Sequence, residues 1–201
     1  MKIVIVDYGA GNLPSVERAF RSLGVESIRA TRPEQLVTAQ VIVLPGVGHF
    51  AAFVEGLEAS DLTNSLRNAH ASGVPILGIC LGLQALFTSS EEALGAHGLG
   101  FLAGGIRALP DNVKSPHIGW NQLLRTRTSA LLRGVAEDAY FYFAHSFAAP
   151  GTGDHTIAVC EHGTRFAAVI EQRNLFATQF HPEKSGEAGA QVLRNFVETL
   201  R

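Results

Sequence analysis

Four short apolar runs punctuate the first half of the chain: Lys2–Val6, Val25–Arg29, Val41–Leu44 and Pro75–Ile79. Each is apolar at both odd and even positions and rich in β-branched residues. That is the pattern of strands with both faces covered. The stretches between them read as helices. Asn12–Leu23 has Pro14 near its start and Gly24 just past its end, the asymmetry expected of a helix. Phe50–Leu57 and Asp61–Ala71 supply two more. This alternation predicts a parallel sheet joined by right-handed crossovers.

The second half changes character. Gly105–Leu109, His117–Leu124, Ala139–Phe147, Thr156–Glu161, Phe166–Glu171 and Leu175–Phe180 read as strands with short turns, several of them antiparallel. The last helix runs from Gly186 to Leu200, with Val192, Leu193, Phe196, Val197 and Leu200 on one face. No repeat or linker interrupts the series. The expectation is a single α/β domain over residues 1–201. Its sheet is open, mixed and mostly parallel, with helices on both faces and an antiparallel second half.

Composition narrows the function classes. The chain has 201 residues, 46% hydrophobic and 17% charged, enough to bury a sizeable core. A net charge of -2 with no long basic cluster argues against a nucleic-acid partner. The longest apolar stretch, Val74–Leu83, is too short to span a bilayer. The opening Met-Lys-Ile-Val-Ile-Val-Asp is too short an apolar run for a signal peptide. Cys80 and Cys160 form no Cys-x-x-Cys pair, so a structural zinc site has no obvious ligands; no metal and no cofactor is assigned. An unpaired reactive thiol suits a reducing compartment, and the protein is expected to be soluble and cytoplasmic.

The chemistry concentrates at Ile76–Gln84. Gly78-Ile79-Cys80-Leu81-Gly82 is a Gly-x-nucleophile-x-Gly turn between a strand and a helix, with cysteine as the nucleophile. Glycines are needed where side chains would collide around a strained turn. A thiol at the N-terminus of a helix is biased toward the thiolate. Cys160 lies within a strand-like run and reads as core packing.

A thiol nucleophile needs a base, and the base needs an orienting group. His181-Pro182-Glu183 follows an apolar run and supplies both. In an extended backbone, residues two apart point the same way, so Glu183 is expected to hold the His181 imidazole. Type alone does not single out one of eight histidines. Position at the C-terminal end of a strand, where open α/β sheets do their chemistry, favours His181. For an oxyanion site, the amide of Leu81 is one donor. The loop Pro45-Gly46-Val47-Gly48 is the source of a second, through Gly46 or Val47. Asp7-Tyr8-Gly9-Ala10-Gly11-Asn12-Leu13-Pro14 imitates a dinucleotide fingerprint, but Pro14 stands where the third glycine belongs.

These segments together resemble the class I glutamine amidotransferases. The elbow Gly78–Gln84 and Phe180-His181-Pro182-Glu183-Lys184-Ser185 match that family's central motifs. Asp7-Tyr8-Gly9-x-Gly11-Asn12, Pro45-Gly46-Val47-Gly48, Pro116-His117-x-Gly119-Trp120-Asn121 and Tyr142-Phe143-x-His145-Ser146 add a closer likeness. They resemble the glutaminase subunits of imidazole glycerol phosphate synthase, in order and over nearly the whole chain. Phe147 departs from the tyrosine that the family often carries there.

The resemblance implies a reaction and a partner. L-glutamine is hydrolysed through a thioester on Cys80, with His181 and Glu183 completing a triad. Gln84, and the backbone around His145 and Ser146, hold the amino-acid end of glutamine. Ammonia passes to a separate cyclase subunit, a (β/α)8 barrel, in a heterodimer. Trp120, Asn121, Tyr142 and Lys184 match positions near that interface. The Pro45–Gly48 loop is expected to rest with one peptide turned away until the cyclase binds its ligand. A thiol hydrolase or protease using the same Cys80–His181 pair is the enzymatic alternative. An inactive regulatory module is the non-catalytic one.

Overall fold

The computed structural model describes residues 2–200. The first half contains β1 (Lys2–Val6), α1 (Leu13–Ser22), β2 (Glu26–Ala30), α2 (Glu34–Val37), β3 (Ile42–Gly46), α3 (Phe50–Ala59), α4 (Leu62–Ala71), β4 (Ile76–Cys80) and α5 (Leu81–Gln84). Then come short strands β5 (Ser89–Ser90) and β6 (Gly105–Ala108), followed by β7 (His117–Gln122), β8 (Leu124–Arg125), β9 (Tyr140–His145) and β10 (Phe147–Ala148). The series closes with β11 (Thr156–Glu161), β12 (Arg165–Gln172), β13 (Leu175–Thr178), a 3-10 turn at Pro182–Lys184 and α6 (Gly186–Glu198).

Eight strands form the main sheet in the order β2-β1-β3-β4-β13-β12-β11-β8. The ladders from β2 to β13 are parallel, and those from β13 to β8 are antiparallel. Alternating residues of the inner strands feed two cores. Ile3, Ile5, Val43, Leu77 and Ile79 join Phe20 of α1 and Phe196 of α6 on one face. Val4, Val6, Ile42, Leu44 and Ile76 join Phe50, Phe53 and Leu57 of α3 on the other. Each fully buried phenylalanine contributes about 1.5–3 kcal/mol by leaving water. The two-sided apolar pattern of these strands is thus explained. The edge strand β2 departs from it: only Ala30 is buried there, because one flank and part of each face meet solvent.

Two expected strands are broken, and the pieces go to different sheets. His117–Leu124 divides at Leu123 into β7 and β8. Ala139–Phe147 divides at Ser146 into β9 and β10. β7 and β9 pair as a separate antiparallel ribbon, and β10 joins β6 and β5 in a third small sheet. Burial alternates along β9, leaving one face at the surface. Strands of that kind suit a sheet covered on one side only. The helix expected after Cys80 is a single turn, so little macrodipole accumulates there.

The register that matters most joins β4 to its two neighbours. Gly46 of β3 is level with Cys80, and Thr178 of β13 is level with Ile79. Three C-terminal strand ends therefore meet at one point of the sheet.

Candidate active site

Cys80 ends β4 with φ 54° and ψ -108°, a conformation costly for a residue with a side chain. The turn persists because glycines let its backbone pack tightly. A methyl group on Gly78 would lie 2.8 Å from the Gly82 carbonyl oxygen, and one on Gly46 would lie 2.8 Å from the Gly82 nitrogen. The side chain of Cys80 is buried yet borders a cavity of about 170 Å³. Val47, Gly48, Leu81, Gln84, Glu92, His145, Ser146, His181 and Lys184 share that lining. The volume suits a ligand smaller than a drug-sized molecule.

His181 stands just beyond β13 and is gripped from β9. Its backbone N–H donates to the Tyr142 carbonyl at 2.9 Å. The Ser185 hydroxyl donates to the His181 carbonyl at 2.7 Å and accepts from the Tyr142 N–H at 2.9 Å. Nδ1 of His181 lies 2.8 Å from Oε1 of Glu183, and both side chains are nearly inaccessible. A carboxylate only accepts, so Nδ1 is a donor in this contact and Nε2 is left to face the thiol. Burial disfavours the imidazolium. Hydrogen bonds to Cys80 and Glu183 outweigh it and push the His181 pKa up to about 10.

The His181–Glu183 contact is made by a different backbone from the one expected. His181 itself is extended, at φ -94° and ψ 98°, but Pro182–Lys184 form a 3-10 turn. Proline at the first position of that turn starts it without sacrificing an N–H. Gly189 of α6 gives the turn room: a methyl group there would sit 2.0 Å from the Pro182 carbonyl oxygen.

The proposed oxyanion donors differ in their engagement. Gly46 belongs to β3 rather than to a loop, so Val47 is the first residue beyond the ladder. Val47 donates its N–H to the Tyr8 hydroxyl at 3.3 Å, and that hydroxyl lies 3.4 Å from the Val47 carbonyl. Burial is the main cause of the Tyr8 pKa rising to about 12, so its proton stays in place. Leu81 opens α5, where the first N–H groups lack helical partners.

Gln84 and His145 are both buried. The Gln84 amide nitrogen lies 2.7 Å from the Phe147 carbonyl. His145 Nδ1 donates to the same carbonyl at 3.0 Å, and its Nε2 lies 3.2 Å from His117 Nδ1. Burial first, then the neighbouring His117, pull the His145 pKa down to about 3. This ring is therefore neutral. Ser146 lies in the break between β9 and β10 and faces the cavity.

Trp120 and Tyr142 face each other across the β7–β9 ladder, their ring centres 6.0 Å apart. The Lys184 ammonium lies 5.6 Å from the centre of the Tyr142 ring. Ile118, Trp120 and Tyr140 are each more than half exposed, which makes this ribbon an apolar surface. Asn121 is set apart from them. Its amide reaches the Glu161 carbonyl at 3.1 Å and the His117 ring at 3.4 Å.

Some residues of the site carried no signal in the sequence. Glu92 places the one carboxylate in the cavity lining, held by the Phe50 N–H at 2.8 Å. Gln179 lies 3.6 Å from the Cys80 sulfur. The Ala144 carbonyl lies 3.8 Å from the same sulfur. Each arrives by register or chain reversal, and residue type does not mark any of them. Among the described residues no cluster of histidine, cysteine or carboxylate side chains is arranged to hold a metal ion. No described helix is long and apolar enough to cross a membrane.

Comparison with known proteins gives this geometry its context. A family model described as glutamine amidotransferase class-I matches residues 4–200. The imidazole glycerol phosphate synthase subunit HisH of Methanothermobacter thermautotrophicus is 48% identical, over 99% of both chains. The HisH subunit of Moorella thermoacetica is 44% identical, over 99% of this chain and 95% of its own. A crystal structure of a glutamine amidotransferase superposes with a TM-score of 0.78 at 18% identity, covering 98% of each chain, which speaks to the fold. The chain belongs to the class-I glutamine amidotransferase family, and within it groups with the HisH subunits of imidazole glycerol phosphate synthase.

Proposed function

We propose that this chain acts as one glutamine amidotransferase domain that hydrolyses L-glutamine with Cys80, His181 and Glu183. The single observation that carries the reading is the buried His181–Glu183 contact of 2.8 Å beside a thiol on a strained elbow, all bordering one small cavity. The Cys80 thiolate attacks the carboxamide carbon and a C–S bond forms. The C–N bond then breaks, and His181 gives the leaving nitrogen its proton. Water next attacks the thioester while His181 takes a proton. A C–O bond forms, the C–S bond breaks, and its electron pair returns to sulfur. The products are ammonia and glutamate. Glu183 keeps the proton on Nδ1 and stabilises the imidazolium.

The cavity provides for the rest of the substrate. Glu92 offers a carboxylate to the α-ammonium group. The amide nitrogen of Gln84 is already committed to Phe147, so its oxygen is left for the ligand. The backbone of His145 and Ser146 supplies further contacts, which suits a His145 side chain bound to His117.

The ammonia passes to a cyclase partner that makes imidazole glycerol phosphate and aminoimidazole carboxamide ribotide, in the cytoplasm. The HisH names of the relatives support this assignment. The Trp120–Tyr142–Lys184 group, with Asn121 at its side, is the docking face. The oxyanion is held by the amides of Leu81 and Val47 beside Gly46. The Val47 N–H is bonded to Tyr8 in this structure, so the resting loop withholds one donor. Losing one such donor costs roughly 10²–10³ in rate. Docking of the cyclase with its ligand turns the Val47 peptide in.

Mixing the protein with a cyclase subunit and following glutamate and imidazole product together tests this reading. Coupled release supports it. Glutamate release unaffected by Cys80→Ala would overturn it.

A further inference from the structure

Gln179 plays no part in the scheme above, yet it occupies the centre of the site. Its side chain is wholly buried. The parallel register sets Thr178 level with Ile79, and one step onward brings Gln179 level with Cys80. Its backbone N–H donates to the Ala168 carbonyl at 2.9 Å, which anchors it to β12. Its side-chain nitrogen, Nε2, lies 3.6 Å from the Cys80 sulfur, within hydrogen-bonding reach of a sulfur acceptor.

The neighbours determine which end of this carboxamide faces the sulfur. The Phe147 carbonyl can only accept, so Gln84 must present its Nε2 there, at 2.7 Å. The same nitrogen lies 3.3 Å from Oε1 of Gln179. A flipped Gln179 would set amide against amide and an oxygen lone pair against the sulfur. Only the orientation with the Gln179 nitrogen toward Cys80 satisfies all three groups.

We infer that Gln179 is a further catalytic residue, whose side-chain amide donates a hydrogen bond to the Cys80 sulfur and is aimed by Gln84. Its role in turnover rests on the glutaminase reading, whereas its effect on the thiol does not. An N–H donor interacts most strongly with sulfur that carries charge. That occurs twice per cycle: in the thiolate that attacks, and in the thiolate that departs when water cleaves the thioester. The thioester sulfur between those steps is neutral and holds the donor weakly. The Ala144 carbonyl, 3.8 Å away, acts in the opposite sense, because it can only receive a proton-bearing thiol. Gln84 also lines the cavity, so a ligand touching Gln84 bears on the donor aimed at the nucleophile.

The test is the pH profile of iodoacetamide alkylation at Cys80 in the full chain, together with kcat and KM for glutamine. Gln179→Met keeps the length and removes the donor. Gln179→Glu keeps an acceptor for Gln84 and turns an oxygen toward the sulfur. In Gln179→Met the alkylation midpoint should rise by about one pH unit, with kcat about tenfold lower and KM little changed. Gln179→Glu should raise the midpoint at least as far. Burial of Cys160 reports whether each variant is folded, since that thiol should stay unlabelled. An unchanged midpoint in either folded variant overturns the inference. Alkylation is read without glutamine, so a wild-type chain that fails to hydrolyse glutamine would count against the proposed function alone.

Discussion

Gly82 lies so close beneath Leu44 that a methyl group on it would sit 1.8 Å from the Leu44 carbonyl oxygen. That contact joins the helix after Cys80 to the strand that leads to Val47. Gly82→Ala must therefore push β3 away from the elbow. Backbone cannot yield as a flexible side chain can, so a loss of at least 3 kcal/mol is expected. Urea unfolding measures it. Glutaminase activity should fall below detection even where the variant remains partly folded.

The two thiols should differ sharply in reactivity. Cys160 is fully buried within β11, and burial pushes its pKa up to about 12. Cys80 borders the cavity. Iodoacetamide should modify one cysteine in the native chain and both in urea. Peptide mapping by mass spectrometry should locate the native adduct at Cys80.

Stability should decline on both sides of neutrality, for opposite reasons. His145 and His117, buried as neutral rings, have native pKa values of about 3 and about 4. Unfolded, both titrate near 6.5. Between these values the unfolded chain binds protons that the native one refuses, so stability falls as pH drops below about 6.5. His181 has the reverse sign, with its native pKa raised to about 10. The stability it contributes is complete below about 6.5 and is lost as pH rises toward 10. Each proton is worth about 1.4 kcal/mol per pH unit within its window. Urea midpoints at pH 5, 7 and 9 should be highest at pH 7. His181→Gln should flatten the alkaline limb and leave the acid limb in place.

Tyr8→Phe isolates the restraint on the proposed oxyanion loop. It removes a hydroxyl bonded to the Val47 peptide and keeps a ring that packs 4.4 Å from Phe53. One neutral hydrogen bond contributes about 1 kcal/mol, so the freed loop should present its amide about fivefold more often. Glutamate release without the proposed cyclase partner should rise by that factor, while the fully coupled rate should stay within twofold. An unaltered uncoupled rate would show that Tyr8 does not restrain the loop.

Much of this protein was legible along the chain. The runs at Lys2–Val6 and Thr156–Glu161 match β1 and β11 residue for residue. The elbow at Cys80 and the pair His181 and Glu183 stood out because the chemistry proposed for them needs particular residue types at short, local spacing. Strand breaks at Leu123 and Ser146 were not legible. Neither glycine nor proline marks either break, and the change of sheet partner is what ends each strand. The backbone at Glu183 was not legible for a related reason: Pro182 fits an extended chain as well as a 3-10 turn, and close packing of Gly189 favours the turn.

Local pattern, then, determined most of the strands and helices, and which residues are the candidates for nucleophile and base. Periodicity and turn chemistry are properties of neighbours in sequence. Tertiary structure alone decided that Gln179 touches the thiol, that Tyr8 holds Val47 and that Glu92 enters the cavity. Those contacts join residues 39 to 99 positions apart or bring a loop onto a distant wall. They depend on strand order and register, which are set by burying both faces of one sheet at once.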